Sequence, residues 1–179
     1  MKSRVEVARV QVNTAVGGFM VAATARGLRA VTPVAMARDH RVGATANPAS
    51  AREPALHHAE AAADALRRYA RGEHARYDGP LDIEATALHL AVWGHLRSIA
   101  FGETTTYGAV ATALGLPGEA RAIGVAVGAN PVCILVPCHR VVGADGSLRG
   151  FAWGLDLKRR LLAHEGSAAL SLFADATGR

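Results

Sequence analysis

The sequence predicts an α+β protein with a small N-terminal antiparallel-sheet domain and a mainly helical C-terminal domain. Short apolar runs separated by glycine turns fill residues 5–31, which is typical of hairpins. Helical spacing of apolar residues begins near residue 55 and returns after residue 86. Asp78-Gly79-Pro80 interrupts the pattern between them. We therefore expect an N-terminal domain over 1–79, a linker over 80–84, a C-terminal domain over 85–167 and a tail over 168–179.

The N-terminal elements follow from alternation and turn signals. Residues 5–12 and 19–23 predict two strands joined by a turn at Gly17-Gly18, and Arg26-Gly27 leads into a third strand over residues 28–31. Residues 33–54 carry Pro, Gly, Asn and Ser, which predicts a loop. Residues 55–71 are Ala-rich with a helical period, and Gly72 is placed to end that helix.

The C-terminal half predicts three helices before residue 130, over 86–99, 107–114 and 119–128. Thr106 is a candidate N-cap for the second of them. The glycine-bearing turn between the second and third helices gives the outline of a helix-turn-helix, although any αα-hairpin shares that outline.

The third of these helices has small side chains along most of its length, and Arg121 alone reaches far outward. Helices that read a major groove usually carry several long polar side chains. Two interpretations remain open: close packing of helix on helix, or a helix lying in a minor groove with one arginine inserted between bases. The small residues are Ala120, Ala122, Gly124, Ala126, Gly128 and Ala129.

The charge balance favours an anionic partner without specifying how it binds. The net charge is +5 and the pI is about 9.9. Residues 1–80 hold twelve Lys and Arg against seven Asp and Glu, whereas residues 100–165 hold six against five. The helix-turn-helix region is thus nearly neutral, and charge alone predicts weak, nonspecific attraction.

Several classes of protein are disfavoured by what the chain lacks. No apolar run reaches the length of a membrane span, and the N-terminus lacks the pattern of a secretory signal. Cys133 and Cys138 lie five residues apart, which suits free thiols in a reducing cytoplasm better than a disulfide. The scattered histidines and the absence of a CxxC pair predict no metal site, and we expect no cofactor.

The hexapeptide Pro137-Cys138-His139-Arg140-Val141-Val142 carries the chemistry. It places a thiol directly before an imidazole, and Glu165 follows 27 residues after the cysteine. A cysteine is a strong nucleophile only as its thiolate, and a histidine oriented by a carboxylate is a common means of forming one. A bare Cys-His pair equally suits a buried structural cysteine beside a satisfied histidine.

Five blocks together resemble the O(6)-alkylguanine-DNA alkyltransferases, also called methylated-DNA–protein-cysteine methyltransferases. The resemblance is close over residues 86–166, while the first 80 residues fit only in outline. It implies an RNase H-like N-terminal domain and a winged helix-turn-helix in the C-terminal domain. The blocks, in family order, are Phe101-Gly102-Glu103 followed by Tyr107; Ala120-Arg121-Ala122-Ile123-Gly124; Asn130-Pro131; Pro137 to Val142; and Lys158 with Leu161 to Gly166.

The resemblance implies a DNA repair reaction in which Cys138 attacks the alkyl carbon on O6 of guanine and keeps the alkyl group, once per molecule. His139 would take the thiol proton through a water, and Glu165 would hold the imidazole in the correct tautomer. Tyr107 would donate a proton near the guanine ring nitrogen. The implied partner is double-stranded DNA, bound in the minor groove by a monomer.

The same resemblance implies base flipping, since a stacked base is out of reach. Arg121 would fill the vacated stack, with Thr106, Ala120, Ala122 and Gly124 along the DNA. The flipped base would contact Tyr107, Val141 and the loop Phe151-Ala152-Trp153, with Asn130 bracing the approach to Cys138. Lys158 would either support the thiolate or be a solvated surface lysine. Trp153 is expected to narrow the pocket and disfavour bulky adducts.

Three other functions compete with this one. A non-catalytic relative that binds alkylated DNA would lack the cysteine, and Cys138 is present. A cysteine hydrolase is possible, although its partners usually come from separate segments of the chain. A plain DNA-binding regulator would need more base-reading side chains than the third helix offers.

Overall fold

The computed structural model describes residues 5–36, 49–74 and 76–167 and has a mixed α+β architecture, as expected. It divides into two compact units. The first comprises Met1–Glu84 together with Pro131–Leu135, and the second Ala85–Asn130 together with Val136–Arg179. The membership of Pro131–Leu135 in the first unit was not foreseen, and the predicted domain boundaries stay a prediction.

The first unit contains a three-stranded antiparallel sheet in the order β1-β2-β3. Thr14 pairs with Gly17, so the hairpin turn is Ala15-Val16 and the predicted turn at Gly17-Gly18 is wrong. Gly18 instead lies within a strand, where an added Cβ would approach Asn13 Oδ1 to 2.9 Å. The glycine allows close cross-strand approach. The strands are β1 (Ala8–Thr14), β2 (Gly17–Thr24) and β3 (Gly27–Pro33).

A long helix, α1 (Ala49–Ala70), packs against β1 and β2. It begins within the segment predicted to be loop, and Val34–Met36 form a 3-10 turn there, so the loop prediction is wrong for both stretches. Residues 37–48 lie outside the described residues. Pro54 and its polar neighbours suggested a loop, but a buried face overrides that local preference. The buried residues of this face are Ala55, Ala59, Ala62, Ala63, Leu66 and Tyr69.

The segment Pro131–Leu135 pairs with β3. Val31 forms a parallel bridge with Val132, its N–H donates to the Pro131 carbonyl at 3.0 Å, and its carbonyl accepts the Cys133 N–H at 3.1 Å. Cys133 is fully buried in this segment.

The second unit is mainly helical, and Thr106 caps a helix as predicted, its Oγ1 accepting the Ala109 N–H at 3.1 Å. The first two predicted helices end earlier than expected, by three residues and by one, because their last turns close with tighter bonds, whereas the third ends at Gly128 as predicted. A two-stranded parallel ladder pairs Thr105–Thr106 with Val141–Val142, just after the cysteine. The elements are α2 (Ala87–Leu96), β4 (Thr105–Thr106), α3 (Tyr107–Ala113), α4 (Ala120–Gly128), a 3-10 turn (Cys138–Arg140), β5 (Val141–Val142) and α5 (Leu155–His164).

The two tryptophans differ in how their indole N–H groups are used. Trp93 is buried on α2 and donates at 2.8 Å to the Ala126 carbonyl, one of the last carbonyls of α4 that no helical N–H can reach. The buried Trp153 Nε1 has no hydrogen-bond partner among the described residues. Trp93 therefore fixes the end of α4.

We predict that Trp93→Phe lowers the free energy of unfolding by about 2 kcal/mol, because it leaves a buried carbonyl unsatisfied. Trp153→Phe is the matched control, and we expect a much smaller change because no hydrogen bond is lost. Urea denaturation followed by circular dichroism measures both. Equal losses for the two variants would show that the Trp93 hydrogen bond does not stabilise the fold.

Candidate active site

The thiol of Cys138 is buried, being 3% exposed, at the start of the 3-10 turn. Asn130 Nδ2 donates both to its Sγ at 3.0 Å and to the Val136 carbonyl at 2.8 Å. Burial raises the pKa of Cys138 to about 11, against the opposing influence of the Asn130 hydrogen bond and the positive charge of Lys158. The resting group is therefore a thiol, and its proton must be removed before it becomes an effective nucleophile.

A buried carboxylate binds the imidazole next to that thiol. His139 Nε2 lies 2.7 Å from Glu165 Oε1, and both side chains are fully buried. Burial lowers the pKa of His139 and outweighs the attraction of Glu165, so the ring is neutral near pH 7. A neutral ring that donates its Nε2–H to Glu165 keeps its lone pair on Nδ1, which makes Nδ1 the basic atom.

Arg140 holds the same carboxylate through two parallel hydrogen bonds. Its Nε donates to Glu165 Oε2 and its terminal nitrogen to Oε1, each at 2.9 Å. Burial alone would raise the pKa of Glu165, but the hydrogen bonds from His139 and Arg140 hold it well below its usual range. The carboxylate is therefore charged, and the imidazole beside it is fixed in one orientation.

The loop before β4 completes this network. Gly102 N–H donates to Glu165 Oε2 at 3.0 Å, and Arg140 donates to the Ile99 carbonyl at 2.6 Å. Gly102 has a φ of +82°, and a Cβ there would lie 3.1 Å from the Glu165 carbonyl oxygen. A glycine is therefore required at this position for both conformation and space.

Lys158 on α5 is completely buried, which excludes the surface-lysine alternative. Its Nζ donates to the Val141 carbonyl at 2.6 Å and to the Arg149 carbonyl at 2.9 Å, and it lies 6.0 Å from the centre of the Phe151 ring. Burial lowers the pKa of Lys158 to about 8, opposed by the charge of Cys138. The ammonium thus ties the loop after β5 to the strand that follows the cysteine.

Tyr107, the first residue of α3, donates its hydroxyl to the Arg149 carbonyl at 2.8 Å. Its pKa is raised by burial and then by the charge of Cys138, so it is a phenol with a proton to give. Gly124 of α4 lies beside its ring, where an added Cβ would be 3.8 Å from the ring carbon Cδ1.

Both interpretations of the small residues of α4 have support. Ala126 is fully buried, which is packing of helix on helix. Arg121 is exposed, and Ala120, Ala122 and Gly124 are only partly covered, which leaves a shallow face beside the arginine. Val125 is 64% exposed on the same helix and was not singled out from the sequence.

A cavity of about 470 Å³ opens beside this face. Among the predicted site residues, only Tyr107 and Ala120 line it, whereas Cys138, Val141 and Lys158 do not. The cavity is lined by Tyr107, Gly108, Ala120, Gly143, Ala144, Asp145 and Arg149.

The predicted pocket residues of the loop before α5 differ in exposure. Phe151 and Trp153 are half-buried, and Ala152 is exposed.

The structure joins six of the fifteen predicted site residues in pairs by hydrogen bonds: Cys138 with Asn130, His139 with Glu165, and Lys158 with Val141. Arg121 lies at the surface, away from these bonds. Within the described part of the chain, no three or more His, Cys, Asp or Glu side chains are grouped so that they could hold a metal ion. None of the helices that the structure describes is long and apolar enough to cross a membrane.

Three residues that hold the site together were not predicted from the sequence. Arg140 belongs to the predicted motif but had no predicted role, although its position next to His139 was a usable signal. Gly102 lies in another matching block without a predicted role, and Arg149 lies in none of the blocks. Both act through backbone atoms, the Gly102 N–H and the Arg149 carbonyl, and backbone roles leave little trace in residue identity.

Known proteins resemble this chain in both sequence and fold. The family described as "6-O-methylguanine DNA methyltransferase, DNA binding domain" matches residues 87–167. The methylated-DNA--protein-cysteine methyltransferase of Mycobacterium bovis is 47% identical over 115 residues, covering 63% of this chain and 70% of the relative.

Two solved structures match nearly the whole chain. The Mycobacterium tuberculosis O6-methylguanine methyltransferase superposes with a TM-score of 0.75 at 35% identity, covering 93% of this chain and 99% of that one. Mycobacterium tuberculosis OGT in complex with DNA gives a TM-score of 0.72 at 36% identity, covering 91% and 97%. The chain belongs to the methylated-DNA--protein-cysteine methyltransferase family.

We predict that Glu165→Gln lowers the free energy of unfolding by about 3 kcal/mol at pH 7, because it leaves the Arg140 guanidinium buried beside a neutral partner. The folded pKa of Glu165 lies below its ordinary value of 4.5. Its stabilisation is therefore present above pH 4.5 and is lost as the pH falls through the folded pKa. Urea denaturation over a pH series should show the two proteins converging in acid.

Glu73→Gln is the matched control, since Glu73 is an exposed carboxylate between Arg68 and Arg71. We expect it to leave the free energy of unfolding nearly unchanged at every pH. A pH-independent difference between wild type and Glu165→Gln would contradict the assigned charge of Glu165.

Proposed function

We propose that this protein repairs DNA by moving an alkyl group from O6 of guanine to Sγ of its own Cys138. The observation that carries the proposal is the buried Cys138 thiol on the same turn as the His139–Glu165 pair, in a chain that belongs to this family. The C–O bond to the alkyl carbon breaks as the S–C bond forms. The product is a thioether, which is chemically stable, so each molecule acts once.

Proton movements follow from the protonation states of the site. His139, neutral and oriented by Glu165, takes the proton of Cys138 through a water. The Asn130 hydrogen bond and the Lys158 charge stabilise the thiolate that forms. Tyr107 supplies a proton to the departing guanine at its ring nitrogen, which requires release of its bond to the Arg149 carbonyl.

Recognition of DNA belongs to the second unit. The short helices α3 and α4, with the loop that follows β5, act as a winged helix-turn-helix whose small face enters the minor groove. Thr106, Ala120, Ala122 and Gly124 lie along the DNA, and Arg121 occupies the space of the flipped base. Its exposure and the shallow face beside it support this assignment.

The remaining assignments extend the same proposal. The flipped base contacts Val141, Phe151 and Ala152, and Trp153 limits the size of the adduct. The sheet and α1 form an RNase H-like domain, and the protein works as a monomer in the cytoplasm. A non-catalytic role is disfavoured by the presence of Cys138, and no feature of the site favours a hydrolase.

The test is to incubate the protein with duplex DNA bearing labelled O6-methylguanine and to map the label by peptide mass spectrometry. We expect one label per molecule, on Cys138. Cys138→Ala should be inert, while Cys133→Ala, which removes the other buried thiol, should still accept the label. Label on Cys133, or several lesions removed per molecule, would refute the assignment of Cys138 as a single-use acceptor.

We predict that Arg121→Ala slows repair in duplex DNA by about tenfold or more, because unstacking the base costs a few kcal/mol that the arginine offsets. Transfer from the free base O6-benzylguanine needs no flipping and should keep its rate. Single-turnover kinetics on both substrates provides the measurement. Equal losses on the two substrates would show that Arg121 serves the chemistry or the fold rather than base flipping.

A further inference from the structure

The loop Gly143–Arg149 carries a network of side chains that alkyl transfer does not use. Asp145 Oδ1 accepts the Ser147 hydroxyl at 2.6 Å and the Ser147 N–H at 3.1 Å. Arg149 donates to the Ser147 hydroxyl at 2.6 Å and to Asp145 Oδ2 at 2.7 Å. The bonds from Ser147 and then the Arg149 charge lower the pKa of Asp145 to about 2, so both ends of the pair are charged.

This network lies at the edge of the proposed DNA-binding face. Asp145 and Arg149 line the same cavity as Tyr107 and Gly108 of α3 and Ala120 of α4. Ala120 directly precedes Arg121, so a second guanidinium stands near the start of that helix. Arg149 is 66% exposed and Asp145 57% exposed, which leaves the pair open to solvent.

We propose that Arg149 is a DNA phosphate contact and that Asp145 competes with the phosphate for it. The proposal rests on the proposed function and extends it to a residue outside the catalytic machinery. If the Arg121 side chain enters the base stack, α4 has no other Lys or Arg to contact a phosphate. The surrounding sequence, residues 100–165, is nearly neutral. Phosphate contacts supply most nonspecific affinity for DNA, so a cation must be found elsewhere on this face.

The exchange of partners is energetically reasonable. An exposed ion pair contributes little to stability, so Arg149 leaves Asp145 at small cost. A guanidinium matches a phosphate with two parallel hydrogen bonds, as it does a carboxylate. Lys158 holds the Arg149 carbonyl whether or not Tyr107 has released it, so the side chain can change partner while its backbone remains in place.

The experiment measures equilibrium binding to a short undamaged duplex over a series of salt concentrations, where no alkyl transfer intervenes. Four proteins are compared: wild type, Asp145→Asn, Arg149→Gln and the double variant. The decisive comparison is Asp145→Asn against the double variant, because they differ only in Arg149 and neither contains the competing carboxylate. Arg159→Gln is the matched control, since it breaks an exposed Arg–Asp pair on α5 that lines no part of the cavity.

We expect Asp145→Asn to bind more tightly than wild type, and the double variant to bind about tenfold more weakly than Asp145→Asn. The plot of log binding constant against log salt should become less steep by about 0.9 for the loss of one phosphate contact. Arg159→Gln should leave both the affinity and the slope near wild type.

Two results would overturn the proposal. If the double variant binds the duplex as tightly as Asp145→Asn and with the same salt slope, Arg149 makes no phosphate contact and serves only to neutralise the Asp145 charge. If Arg159→Gln weakens binding equally, the effect is one of net charge. Labelling of Cys138 from free O6-benzylguanine is measured on wild type and on Arg159→Gln, neither of which alters the proposed contact. Failure of the alkyl-transfer proposal would show there as absence of label, whereas loss of the phosphate contact shows only in the binding comparison.

Discussion

The buried negative charge of Glu165 is the constraint on which the second unit depends. A carboxylate removed from water is strongly unfavourable unless its oxygens are fully bonded, and here a guanidinium, an imidazole and a backbone N–H all serve it. Those donors come from two segments, the loop before β4 and the 3-10 turn, and the carboxylate they bind lies at the end of α5, so the three segments are fixed together. The orientation of His139 is thus a by-product of neutralising one charge.

A second buried charge acts on the other side of the cysteine. The Lys158 ammonium binds only carbonyl oxygens among the hydrogen bonds of the described chain, and no carboxylate pairs with it. A cation left without an anion is stabilised when a thiolate forms nearby, so the Lys158 charge partly offsets the burial that keeps Cys138 protonated at rest. The balance between burial and the Lys158 charge keeps the resting group a thiol while lowering the free-energy cost of forming the thiolate.

Sequence reasoning succeeded where side-chain identity carries the information. The Pro137–Val142 motif and the position of Glu165 pointed to a pair that the structure places at hydrogen-bond distance, and Thr106 was recognised as a helix cap. It failed where backbone geometry or tertiary packing determines the local structure. Gly18 was assigned to a turn because glycine is common there, but close approach of a neighbouring strand is what requires it. The start of α1 was hidden by Pro54, since local propensity cannot foresee burial of one helical face.

The segment Pro131–Leu135 has a practical consequence for anyone who divides this chain. Two of its backbone groups are bonded to Val31 of β3, yet it lies in sequence between Asn130 and Val136, both of the second unit. A fragment cut after Glu84 would keep Cys138 but leave this short apolar segment, which ends three residues before that cysteine, without its neighbouring strand. An unpaired strand edge of this kind favours self-association. The undivided chain is therefore the better starting material for crystallisation or engineering.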